Sequence, residues 1–75
     1  MVTYFKSQKD LAVALIQLID DYWNYELNEE SLVNQINELT SKNKEKLIVN
    51  GNYTSVLKQR LGKRRIELLN KILNL

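Results

Sequence analysis

Seventy-five residues carry eleven basic and nine acidic side chains, for a net charge of +2, with 44% hydrophobic residues and no Cys, His or Pro. A chain this short buries only about 60% of the surface that its unfolded form exposes, so one small domain spanning 1–75 is the ceiling. The missing Cys and His exclude disulfides, thiolate or imidazole metal sites, and nucleophilic catalysis of the Cys–His or Ser–His kind.

Met1 to Lys6 reads as a short extended arm, with Tyr4 and Phe5 available to pack. Ser7 opens a helix, because Ser7-Gln8-Lys9-Asp10 approximates a capping box and Asp10 suits the positive end of the helix dipole. Over 8–25, a projection at about 100° per residue puts Leu11, Leu15, Leu18, Tyr22 and Tyr25 on one narrow face. Ile16, Ile19 and Trp23 widen that face, while Gln17, Asp20, Asp21 and Asn24 take the opposite side. This is the broadest apolar helix and is predicted to be central.

Asn28 caps the next helix, with Glu29 and Glu30 in its first turn. Leu32, Val33, Ile36 and Leu39 then mark one side of a helix over 29–41. Lys44 to Leu47 has room for one more helical turn. Asn50-Gly51 between apolar or aromatic residues is a strong hairpin signal, since both residues tolerate positive φ. The flanks are short and do not alternate, so a helix-to-helix loop is the preferred reading of 48–53, with a hairpin as the alternative.

Thr54 or Ser55 caps the last helix, over 54–74. Leu57, Leu61, Leu68, Leu69, Ile72 and Leu73 keep one phase across Gly62, which favours a single long helix. Gly62 would then lie on the buried side, where a close approach by another helix offsets its cost of about 1 kcal/mol against Ala. The alternative is a break at Gly62. The fold class is all-α: a compact bundle of three main helices.

The charge is unevenly spread. Residues 1–53 hold five lysines against eight acids, for −3; residues 54–75 hold six cations against Glu67 alone, for +5. Such asymmetry points to nucleic acid or an acidic partner, or to an acidic half packing on a basic half. Arg60, Lys63, Arg64 and Lys71 project opposite the leucines, with Glu67 among them as an i,i+4 partner for Lys63 and Lys71. The plain reading is a solvated face; the functional one is contact with phosphates or carboxylates. An acid at the centre and the lack of interleaved aromatics weigh against nucleic acid.

Lys58 and Arg65 project into the apolar arc. A charge there needs a partner, and Asp20, Asp21 and Glu26 are the intramolecular candidates. The functional reading is an exposed apolar-plus-arginine surface of the kind that binding hot spots favour. Tyr22, Trp23 and Tyr25 are either core or an interface anchor.

Asp21-Tyr22-Trp23, the Asn28 to Leu32 helix start, and above all the run from Gly51 to Arg65 resemble a family of small uncharacterised proteins of Gram-positive bacteria and their phages or prophages. The likeness covers nearly the whole chain. It implies a mobile-element setting and supplies no active site.

These readings converge on a small non-catalytic accessory protein of phage or prophage type that binds a host macromolecule, with a protein as the preferred target, and modulates its activity. Lys58, Arg60, Lys63, Arg64, Arg65, Trp23 and Tyr22 are the expected contact residues. The alternative is a DNA-binding regulator with 54–65 as a recognition helix. A homodimer is a further option. No catalytic residue, cofactor, metal or membrane contact is expected. The longest unbroken apolar run, Leu11 to Ile16, is too short to span a bilayer or form a signal-peptide core. Absence of Cys fits the reducing cytoplasm.

Overall fold

The caps that open the three long helices are made by the residues whose chemistry favours them. Ser7 Oγ accepts from the Asp10 N–H at 3.1 Å and starts α1, Gln8–Trp23. Asn28 Oδ1 accepts from the Ser31 N–H at 2.8 Å and starts α2, Glu29–Lys42. Between α2 and the last helix lie the single turn α3, Lys44–Leu47, and a two-stranded hairpin, β1 Ile48–Val49 and β2 Asn52–Tyr53. Thr54 Oγ1 accepts from the Leu57 N–H at 3.3 Å and starts α4, Ser55–Leu73. Each side-chain oxygen satisfies an N–H that has no partner inside its helix. These elements come from a computed structural model that describes residues 4–75. Met1 to Thr3 of the expected arm lie outside the described residues.

The core is an interlock of leucines and isoleucines. Leu11, Leu15 and Ile19 of α1 meet Leu32, Ile36 and Leu39 of α2, together with Leu47, Leu57, Leu61 and Leu69. All are buried, and each contributes roughly 1.5–3 kcal/mol of transfer free energy. α1 packs mainly on α4 and secondarily on α2, which makes it the central helix as its breadth predicts. The all-α bundle of three main helices is the observed architecture. Among the described residues no helix is long and apolar enough to cross a membrane.

Three expectations are corrected. The segment 48–53 forms a hairpin, with Ile48 opposite Tyr53 and Val49 opposite Asn52. Asn50 at φ 54 and Gly51 at φ 81 are the positive-φ pair of a type I′ turn, whose twist matches that of the strands it joins. Thr54 N–H extends the ladder to Leu47 O at 3.1 Å. The short flanks suffice because the hairpin leans on the bundle: Tyr53 OH donates to Asn70 Oδ1 at 2.6 Å.

Second, α4 is broken at Gly62, which has φ 78 and ψ 169. Only glycine populates that region readily. No atom lies within 4 Å of where a Cβ would stand, so a close helix approach is not why glycine is there. The break shifts the angular phase between the two halves, so the single-helix projection fails for Lys58, which is exposed rather than set in the apolar arc.

Third, α1 stops at Trp23 instead of running to 25. Tyr25 sits at φ 62, its N–H donates to Tyr22 O at 3.2 Å, and the Glu26 N–H donates to Asp21 O at 2.8 Å. This is the paired bonding of a Schellman motif, with a tyrosine in the left-handed position that glycine usually fills. Tyr25 is consequently 96% exposed and not part of the core.

One polar residue organises the junction of arm, α2 and α3. Asn43 is completely buried. Its Oδ1 accepts from the Phe5 N–H at 3.0 Å and its Nδ2 donates to Leu39 O at 2.7 Å. Its own carbonyl accepts from the N–H groups of Lys46 and Leu47. Phe5 is thereby held against the core, as the arm reading expects, while Tyr4 stays exposed under the ammonium of Lys46.

Candidate functional site

The C-terminal end of α1 and the middle of α4 bring together residues that the sequence offered as separate features. Trp23, the last residue of α1, is 36% exposed. The Arg64 guanidinium lies over its ring at 5.0 Å from the centroid, and that of Arg65 at 5.7 Å. The break at Gly62 comes just before this pair of arginines, with Lys63 between.

The two arginines differ in their hydrogen bonding. Arg65 donates from Nε and Nη2 to Asp20 Oδ1 at 3.1 and 2.9 Å, and from Nη2 to Oδ2 at 3.2 Å. Its Nη1 donates to Leu61 O, the last carbonyl before the break, at 3.1 Å. This is an intramolecular pairing with Asp20, one of the three acids anticipated. Asp20 is therefore not on the far side of α1 but half-buried against α4. Arg64 has no acceptor among the described residues. A guanidinium resting on an indole face keeps its planar fork of N–H donors available for a carboxylate or phosphate. The contact itself is worth about 0.5–1 kcal/mol at an exposed site.

The exposed residues of α4 and of the turn that follows α1 carry both signs. Lys58, Arg60 and Lys63 are exposed and make no ion pair among the described residues; nor does Lys71 further along α4. Glu67 pairs with neither Lys63 nor Lys71, contrary to the spacing-based expectation. Trp23 also lines an open depression of about 580 Å³, together with Tyr22, Tyr25, Glu26, Leu27 and Asn28. Tyr22 packs partly against the core and forms its edge. Glu26 is exposed and unpaired among the described residues.

Tyr25 is the aromatic residue that periodicity misplaced. Projection assigns it to the core face, yet the Schellman turn swings it fully outward, two residues past Trp23. The available signal was Asn24, a residue that favours helix ends over helix interiors. A bulky side chain held in the left-handed region costs of order 1 kcal/mol or more, and such strain gathers at functional positions. The assembled groups are an aromatic platform, a free guanidinium, a carboxylate and a depression. That set suits recognition by stacking, hydrogen bonding and charge.

A family of conserved hypothetical proteins matches over residues 2–74. No curated protein and no solved structure matches the chain.

Proposed function

The chain belongs to this family of conserved hypothetical proteins, and we propose that it acts as a non-catalytic binding module that docks a partner protein through the Trp23–Tyr25–Arg64 surface and modulates that partner's activity. The observation that carries this reading is the free Arg64 guanidinium stacked on a part-exposed Trp23 beside a fully exposed Tyr25. Trp, Tyr and Arg are the residues that dominate binding energy at protein interfaces. The Gram-positive and prophage setting implied by the resemblance adds that the partner is a host protein, met in the cytoplasm. The test is affinity capture from the native host with the wild-type chain and with a Trp23→Ala/Arg64→Gln variant as baits. A protein retained by the first and lost from the second is expected. Equal retention, or none, overturns the reading.

A second reading, a DNA-binding regulator, is favoured by the unpaired cations at Lys58, Arg60, Lys63 and Arg64. Glu67 and the acidic first half weigh against it. A dissociation constant below about 10⁻⁷ M for duplex DNA at physiological salt, with a sequence preference, would promote it over the first.

A further inference from the structure

We infer that the Trp23 surface pairs with a second copy of this chain in a two-fold symmetric dimer, Arg64 of each copy meeting Glu26 of the partner subunit. Three observations lead there. Trp23 and Tyr25 expose two aromatic rings at one corner of the bundle, which water solvates poorly and an interface covers well. Arg64 stacks on that Trp23, and Glu26 shares a depression with it. Neither charge has an ion-pair partner among the described residues.

The mixture of signs decides the occupant. A uniformly acidic partner that satisfied Arg64 would be repelled by Glu26, with Glu29 and Glu30 close behind it in the chain. A uniformly basic partner meets the converse problem at Arg64, with Lys63 and Arg60 nearby in the chain. The fitting partner presents an acid where this surface presents a base, and a base where it presents an acid, around an aromatic centre. A second copy carries the same two groups, and once a two-fold axis near Trp23 brings Arg64 onto Glu26 of the partner subunit, symmetry makes the contact occur twice. A standard interface takes roughly 800 Å² from each partner, a large share of a total surface of 5001 Å². Because the paired charges are exposed, the dimer is weak, concentration-dependent and loosened by salt.

The inference uses the surface of the proposed function without depending on that function, and it makes dimerisation and partner docking compete. Sedimentation velocity of the full chain over a concentration series, at low and physiological salt, tests it with Arg64→Glu and Glu26→Arg. Both positions are exposed, so unchanged circular dichroism and melting confirm that each variant folds. The wild type is expected to move from monomer to dimer with concentration. Each variant alone places like charges at both contacts and shifts the midpoint upward at least tenfold. An equimolar mixture of the two restores dimer. In the mixed pair, the acid introduced at position 64 faces the base introduced at position 26, and the unaltered Arg64 faces the unaltered Glu26. A wild type that stays monomeric, variants that dimerise like the wild type, or a mixture that fails to recover dimer each overturn the pairing. A monomeric wild type that still captures a Trp23-dependent partner sinks the dimer alone. A rescued dimer without a captured partner sinks the proposed function alone.

Discussion

Arg65 closes on Asp20 across the α1–α4 contact, with Nε and Nη2 both donating to the same carboxylate oxygen at 3.1 and 2.9 Å. The pair joins residues 45 positions apart and is roughly one-third exposed on both sides. It anchors the segment after the Gly62 break to the end of the central helix, and so holds neighbouring Arg64 over Trp23.

For that pair, Arg65→Leu and Asp20→Asn should each lower stability, with a coupling energy of about 0.5–1 kcal/mol after allowing for solvent screening. A double-mutant cycle by thermal or urea unfolding measures it. Additive single effects would show that the pair contributes nothing to the α1–α4 contact.

Gly62→Ala should destabilise the protein by about 1–3 kcal/mol, since alanine must adopt backbone angles that are nearly exclusive to glycine. Space is not the cause, for nothing lies within 4 Å of the added Cβ. The favourable helix propensity of alanine works in the opposite direction. A variant that melts higher than the wild type would mean that α4 can straighten through this position.

Tyr25→Gly should raise stability by roughly 0.5–1 kcal/mol, by relieving a left-handed tyrosine at the Schellman position. The ring is exposed, so little packing is lost. The same substitution should weaken association through the Trp23 surface. Greater stability with weaker association is the expected signature; a loss of stability would show that the ring supports the fold.

Asn43→Leu should cost about 1–3 kcal/mol, because the Phe5 N–H and the Leu39 carbonyl lose their partner. Asn43→Asp should cost more, placing a carboxylate in a fully buried site. Urea midpoints compare the two. Hydrogen exchange at the Phe5 amide should accelerate in Asn43→Leu; unchanged exchange there would show that Asn43 does not hold the arm.

Burial pushes the Tyr53 phenol above its ordinary value of about 10. The fold therefore favours the neutral phenol, which donates to Asn70. Its contribution is complete below the unfolded value and is lost as pH rises through the folded one. Tyr53→Phe should cost about 1 kcal/mol near neutral pH, the worth of one hydrogen bond. That gap should close above pH ~10. Melts of both proteins from neutral to alkaline pH check this; a gap that stays constant defeats it.

The helices, their caps and most of the core were legible in the sequence because each depends on residues close together in the chain. Ser7, Asn28 and Thr54 cap helices by bonding to N–H groups three residues on. Leu11, Leu15, Leu32, Ile36 and Leu39 reveal their buried faces by spacing alone. Asn50-Gly51 carries the geometry of its turn, and what spacing undervalued was the support that Tyr53 finds on α4. Tertiary structure decided the rest. Unbroken leucine periodicity masked the break at Gly62, since a glycine fits a helical pattern and a kink equally well. Tyr25 turned outward because two backbone hydrogen bonds end α1 before it, though its spacing is that of a core residue. Arg65 found Asp20, and Arg64 found Trp23, because α4 packs on α1 with a bend between its halves. No local pattern encodes the meeting of side chains some forty residues apart: it depends on how two helices settle around a shared core.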